Sequence, residues 1–495
     1  MILTISLTFF ILVLHFTLKF LIRPYSQYRT LKGKDVLSTF FPLFGLVPWF
    51  LKSFKETGDF LGFHKQLPKE NENVRMHVGN FGDRIAIQLF DPKLVKEFFA
   101  IQHKYKKIPF SKPFERLVET GLIRAEGNLW KQHRKTLSNM FHFEFMRQNI
   151  PLMVNTTREF LTELEKGSLS NVDIMDEIQK ITGEIVGRIF FGKNLNNYKM
   201  DGKILTLYLA DLMADVFVLQ KSFLLIFLQV TGLPGELSPR FRRVLRRVAE
   251  FRALCFKIVQ ERKLSGIQAN DMLGLLLNTQ SNPNKEEAFS DEDIVNEFIT
   301  FFAAGMDTTG HTITMMLYLL NENPQYKTNF ENEIQNIYNR NEPVDQDSLN
   351  KMEFTHAFLK ETLRFYTPAP GTFPRIALEN HDLLDVKIKK GMSVRPNPIY
   401  NHFNPKYFEN PDEFKPMRWL DKSKVMDPFV YIPFSAGSRN CIGQHLSVME
   451  TKIIMSEFLK KFDFEVKPGY KLRMDVSFLY EPAEKITVNL QPKSL

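Results

Sequence analysis

Residues 291–322 read as one uninterrupted, largely apolar helix, and a chain that contains it must build a large shell around it. Ser290 with Asp293 makes a capping-type start, in which side chains satisfy the first free N–H groups, and Pro324 stops the run. Further helical patterns recur at 92–101, 128–142, 152–166, 173–191, 203–220, 239–264, 325–340, 355–366 and 442–461. Strand signals are fewer. Val74–Val78 and Arg84–Phe90 flank a Gly79–Asp83 turn as a hairpin, and short strands return at 383–396 and 470–491. No repeat and no Gly/Ser-rich linker divides the chain after residue 50. The expected fold is mainly α with a minor β-sheet region, in one domain over 51–495.

Composition excludes several function classes. The 495 residues hold two cysteines, Cys255 and Cys441, too few for a disulfide framework or a tetrahedral zinc site. No phosphate-binding, dinucleotide-binding or GxSxG motif occurs. The net charge of +9 is spread along the chain without an aromatic-interleaved basic tract, which favours no nucleic-acid partner and a membrane or acidic protein instead.

Residues 2–22, ILTISLTFFILVLHFTLKFLI, are apolar apart from His15 and Lys19, and at ~1.5 Å per residue they span ~30 Å, about one hydrocarbon core. The stretch is longer than a signal peptide's apolar part and lacks its flanks. It reads as an uncleaved transmembrane anchor. Arg23, Arg29, Lys32 and Lys34 come after it and no cation precedes it, so the body is expected on the cytosolic side. Residues 23–50, punctuated by Pro24, Pro42 and Pro48, read as a hinge. The apolar run Phe223–Leu228 fits either ordinary core or a segment dipping into the bilayer.

The most informative segment is Phe434-Ser435-Ala436-Gly437-Ser438-Arg439-Asn440-Cys441-Ile442-Gly443. Its small residues let backbone pass close to something bulky and flat. Cys441 is expected at a helix amino terminus with Arg439 near it, where the dipole and the charge favour thiolate, the metal-binding form. Cys255 sits on an apolar helical face and reads as structural. The spacing aromatic, two residues, Gly, Ser, Arg, one residue, Cys, one residue, Gly resembles the haem-binding signature of the cytochrome P450 family. That resemblance implies Cys441 as iron ligand, Phe434 against the porphyrin, Arg439 on a propionate and Gly443 beside the macrocycle. The cofactor it implies is noncovalent haem b with an axial thiolate.

Other motifs occur in the family's order. Glu361 and Arg364 are three apart on one helical face and resemble its ExxR pair, with Arg418 as third member. These three should be structural, and Met417, where the family often has an acid, leaves their network one partner short. Trp130 and Arg134 match WxxxR and, by resemblance, bind propionates, as does Arg375. In Ala303-Ala304-Gly305-Met306-Asp307-Thr308-Thr309, a mid-helix glycine and tandem threonines are poor helix formers. They read either as a packing notch or as a functional opening, in which Gly305 leaves room over the iron and Thr308 bonds a carbonyl one turn back. By resemblance Thr308 steers and Asp307 feeds protons to bound O2. Ala304 stands where some relatives carry a haem-esterifying Glu, which is why attachment should be noncovalent.

The function implied is a membrane-anchored monooxygenase of the endoplasmic reticulum. It would act on a lipophilic substrate, with electrons from an NADPH-dependent flavoprotein reductase and cytochrome b5 as a second candidate donor. A haem-thiolate isomerase or dehydratase acting on peroxides and a noncatalytic haem sensor are the alternatives, and the retained Asp307 and Thr308 weigh against both. Lys131, His133, Lys135, Lys452, Lys460 and Lys461 are expected to form a basic reductase-docking face. The substrate pocket should draw on 109–125, 205–235, 301–305, 369–373 and the surroundings of Phe478 and Leu479.

Overall fold

Helices make up most of the computed structural model, which describes residues 10–493 other than 12, 34, 43, 46, 110, 220, 221, 223, 226, 227, 229–232, 268, 282–287 and 339–342. Those that position the site are α1 (Gly62–Glu70), α2 (Gly127–Ser138), α3 (Ile150–Lys166), α4 (Ile174–Phe191), α5 (Leu205–Val218), α6 (Pro239–Ser265), α7 (Asp291–Glu322), α8 (Glu353–Tyr366) and α9 (Gln444–Lys461). The predicted long helix is α7. Ser290 Oγ accepts from Asp293 N–H while the Asp293 carboxylate accepts from Ser290 N–H, which satisfies two otherwise orphaned donors.

α4, α6, α8 and α9 all pack against α7, so it forms the axis of the main core. α4 approaches most closely because glycine faces it. A Cβ on Gly305 would lie 2.7 Å from Val186 Cγ2, and one on Gly310 would lie 3.0 Å from Gln179 Cγ. Gly305 is a packing notch, since its missing side chain makes way for Val186, and it is also a partly open position.

A second, smaller core lies under a six-stranded sheet of β1 (Val36–Ser38), β2 (Met76–Phe81), β3 (Arg84–Leu89), β4 (Tyr105–Lys107), β5 (Arg375–Ala377) and β6 (Ser393–Pro396), in the spatial order β1-β2-β3-β6-β5-β4. The predicted hairpin is β2–β3, with Val78 opposite Ile87. β6 runs parallel to β3, with Val394 opposite Ile87 and Arg395 opposite Gln88. Because side chains alternate, Val78, Ile87 and Val394 fill one face against Leu94, Val95 and Phe98, and the next row points the other way.

Part of the stretch read as a hinge is built into this core: Tyr28 and Leu31 are buried and Val36–Ser38 pairs with β2. The predicted anchor lies partly outside the described residues. From residue 13 to Arg29 the chain is helical, with a π-helical turn at Leu18–Ile22, and no helix among the described residues is long and apolar enough to cross a membrane. In the Phe223–Leu228 run, Leu225 and Leu228 are buried and Leu224 is exposed, while 223, 226 and 227 lie outside the described residues. Short helices at Val47–Thr57, Lys112–Val118 and Met272–Thr279, as well as α1, join the predicted set.

Candidate active site

α7 is buried along most of its length, yet Ala304, Gly305 and Thr308 are partly open. Positions i, i+1 and i+4 lie on one side of a helix, so a core helix here lines an internal space. Thr308 Oγ1 donates to Ala304 O at 2.8 Å, the one-turn-back bond expected from the sequence. Asp307 faces α4 instead. It is buried, and its Oδ1 accepts from Gln179 Nε2 at 2.7 Å. Burial, with the charge of Glu481 as a second cause, pushes its pKa from 3.8 up to about 7, against the lowering effect of Gln179.

The cysteine segment runs into α9 through one 3₁₀ turn, Gly437–Arg439, with Ser435 and Gly437 at φ 61° and 72°. Gly437 is needed there twice over, for its positive φ and because a Cβ would press on Phe99 at 3.3 Å. Cys441 N–H donates to Phe434 O at 2.9 Å, which closes the loop. Desolvation shows the Cys441 thiol enclosed by protein, yet its surface is open. A group meets both conditions by facing a cavity within the fold. The expected lowering of its pKa is not found. Cys441 lies three residues before the first residue of α9, and burial raises the thiol pKa more than the Gly443 N–H and Arg134 lower it. Thiolate here would come from metal coordination itself, which strips the proton outright. Cys255 is fully buried and its thiol is pushed well up by burial, as a structural cysteine should be.

Cations surround this loop. Arg134 donates to Asn440 O at 3.0 Å and to Asn440 Oδ1 at 2.9 Å, so it clamps the loop to α2. Arg439 lies 4.2 Å from the Trp130 ring centroid and donates to Ala125 O at 2.8 Å and Glu126 Oε2 at 2.7 Å. Arg375, at the start of β5, is buried, and its Nε has no hydrogen-bond partner. Lys107, at the end of β4, is a member that sequence spacing did not reveal. Burial and its neighbours Arg439, Arg375 and Arg124 push its pKa down to about 7. Glu126 is the acid that Lys107, Arg375 and Arg439 have in common. An excess of buried cations, an orphaned guanidinium nitrogen and an accessible thiol fit a flat group that carries two carboxylates and a thiol-binding metal.

Behind the loop, Glu361 is fully buried and accepts from Arg364 Nη2 at 2.8 Å, Arg364 Nε at 3.0 Å and Arg418 Nε at 3.0 Å. It also accepts from Trp419 Nε1 at 2.8 Å and Lys415 N at 2.9 Å. The network is therefore complete, contrary to the expectation drawn from Met417, whose side chain is exposed. Tyr431 OH donates to Lys360 O at 2.9 Å and ties the approach to the cysteine segment onto α8.

Two other expectations need correction or support. The docking face loses His133, buried with Nδ1 2.6 Å from Glu297 Oε1, and Lys452, buried with Nζ donating to Leu349 O. Lys461 pairs with Glu165 at 2.6 Å, Lys460 lies over Tyr338, and Lys131 and Lys135 remain exposed. The pocket segments do meet: Phe114, Phe217 and Phe478 form one aromatic cluster, with centroids 4.7–5.7 Å apart. A separate cleft of about 940 Å³ between 111–129 and 219–241 reaches Ala125 and Glu126 but not Cys441.

The cytochrome P450 family profile matches residues 37–489. Curated relatives include echinocystic acid 23-monooxygenase of Saponaria officinalis, 28% identical over 82% of this chain and 78% of that one. 7-Deoxyloganic acid hydroxylase of Catharanthus roseus is 28% identical over 78% and 75%, and cytokinin hydroxylase of Arabidopsis thaliana 30% identical over 76% and 72%. The solved haem domain of cytochrome P450DA superposes with a TM-score of 0.75 at 23% identity, over 88% of this chain and 92% of that one. Such relatives favour oxygen insertion over the isomerase and sensor readings. The chain belongs to the cytochrome P450 family and is a haem-thiolate monooxygenase.

Proposed function

We propose that the chain is a membrane-anchored monooxygenase of lipophilic small molecules, with noncovalent haem b held by Cys441 and electrons drawn from NADPH through a separate flavoprotein reductase. The observation that carries this is the pairing of an enclosed but accessible Cys441 with the open Ala304-Gly305-Thr308 stripe of the core helix. Thr309 Oγ1 and Ser447 Oγ, 3.3 Å apart, join the two helices that bear them.

Haem ligated by a thiolate supplies dioxygen activation and insertion of one oxygen atom into a C–H bond. Everything else falls to side chains. Arg375, Arg439 and Lys107, with Trp130 and Arg134, would hold the propionates; the Trp130 face also fixes the Arg439 guanidinium, and Arg134 also holds the cysteine loop through Asn440. Phe434 and Gly443 would flank the macrocycle, and Ala304 would offer it no carboxylate to esterify. The Thr308 hydroxyl gives its hydrogen to Ala304 O, so its oxygen is what would face the open stripe, to accept and steer an incoming proton. Asp307, near half-protonated at neutral pH, resupplies it.

Membrane attachment is supported by the exposed apolar side chains of Phe10, Ile11, Val13, Leu14, Leu18 and Ile22. The cations after them in the chain favour an endoplasmic-reticulum anchor with the body in the cytosol. The test is NADPH oxidation and oxygenated product formation with a microsomal reductase across a panel of fatty acids, sterols and terpenoids. Product from any of them supports the reading, and NADPH oxidation unchanged by every one of them contradicts it.

A further inference from the structure

Across β2, β3 and β6 the register aligns His77, Gln88 and Arg395 in one row, on the face opposite Val78, Ile87 and Val394. The first two have side-chain partners, although His77 Nδ1 has none. His77 Nε2 lies 2.8 Å from Thr39 Oγ1, and Gln88 Oε1 accepts from Asn397 Nδ2 at 2.6 Å. Arg395 is not satisfied. Its contact to the same Gln88 oxygen is long, 3.4 Å from Nη2, and no acid among the described residues answers its charge. A guanidinium cannot shed its proton, so an unanswered one inside a protein is a standing cost.

The surroundings say where a partner would come from. Arg395 is enclosed by protein, which lowers its pKa by desolvation, yet part of its surface is open, the same combination found at Cys441. Arg395 Nη1 lies 3.9 Å from where a side chain would begin on Gly371. Gly371 belongs to the segment between α8 and β5 expected to line the substrate pocket. In that segment Ala369 is exposed, Pro370 to Phe373 are partly open, and the buried Thr372 Oγ1 has no hydrogen-bond partner.

We propose that Arg395 anchors the carboxylate of the substrate, and that the enzyme selects lipophilic carboxylic acids over their neutral counterparts. This rests on the monooxygenase reading above and names the class of molecule its pocket takes. A planar guanidinium pairs with a carboxylate through two parallel hydrogen bonds, and the Thr372 hydroxyl is available for a third. The charge matches a monoanion. His64 and His77, the titratable groups beside Arg395, are held neutral by burial, with Arg395 itself lowering both, so the site offers one positive charge. A phosphate dianion would remain half-compensated.

The experiment is equilibrium dialysis of the holoenzyme at neutral pH with lauric acid, palmitic acid and a pentacyclic triterpene acid, each beside its methyl ester. At least one acid is expected to bind about tenfold more tightly than its ester, a difference of one well-formed charged contact. Arg395→Leu should erase that preference and leave ester binding unchanged, while Arg395→Lys keeps part of it. Acid and ester binding alike in the unaltered protein would overturn the proposal without reference to any variant, and so would a preference that survives Arg395→Leu. The carbon-monoxide spectrum of the same preparations separates the two readings. A normal thiolate-haem band with equal acid and ester binding sinks the anchor alone, and its absence sinks the haem reading and the anchor with it.

Discussion

Asp307 and Thr308 are adjacent in sequence and do different work because a helix turns about 100° between them. Thr308 lies on the open stripe and Asp307 is buried against Gln179. Replacing Thr308 by Ala removes the hydroxyl but not the space. Reductant should still be consumed while product per NADPH falls, by roughly 10²-fold if the hydroxyl steers the proton. Oxygen-consumption and product assays run together check this. Asp307 makes a pH prediction. Its pKa is raised from 3.8 to about 7 in the fold, so the fold favours the neutral acid. The stability this contributes is present below about pH 4 and is lost as pH rises through about 7. Coupling should decline over the same upper range as the proton reservoir empties. Asp307→Asn should flatten both dependences while lowering coupling at pH 6, and a pH profile unchanged by the substitution would remove Asp307 from the proton path.

Among elements, α8 shows how a structural motif protects the cysteine loop from a distance. Glu361 joins two arginines, a tryptophan N–H and a backbone N–H, so Glu361→Ala would leave Arg364 buried with its charge uncompensated. About 3–5 kcal/mol of destabilisation is expected, read as a drop in denaturant midpoint and in haem retained after purification. The elements legible in the sequence were those with long periodicity or strong punctuation. α7 came with its cap and its proline stop, α6 and α4 within a residue or two of their ends, and the β2–β3 hairpin in place, though Gly79–Phe81, read as turn, pair as strand with Arg84–Ala86. α1 and the helix Lys112–Val118 escaped because each is short, and Pro68 inside α1 reads as a break. Spacing placed Cys441, Arg439, Glu361 and Thr308, which lie on single local motifs. It could not give Lys107, which reaches Arg375 and Arg439 only through pairing of β4 with β5 and folding of the cysteine loop. Nor could it show that His133 and Lys452 point inward, since helical spacing fixes neighbours on a helix but not which side meets the core.

At the scale of the whole molecule, the arrangement is a helical body around α7 with a sheet at one side and an apolar helix leading into it. Tyr28 and Leu31, just beyond the apolar run, belong to the core under the sheet, and within the run Phe20 alone among the described residues is buried. A chain lacking residues 1–22 should therefore fold, take up haem and leave the membrane fraction, as sedimentation with microsomes would show. Its remaining wholly in the membrane pellet would assign attachment elsewhere. The site draws on distant parts of the chain: α2 meets the loop before α9 through Arg134 and Asn440, and α7 meets α9 through Thr309 and Ser447. The direct measurement is the reduced carbon-monoxide difference spectrum of the unaltered chain beside Cys441→Ser. The unaltered chain should give the red-shifted Soret band of thiolate-ligated haem and the serine variant should lack it. The same band in both, or in neither, would contradict Cys441 as the residue that holds the iron.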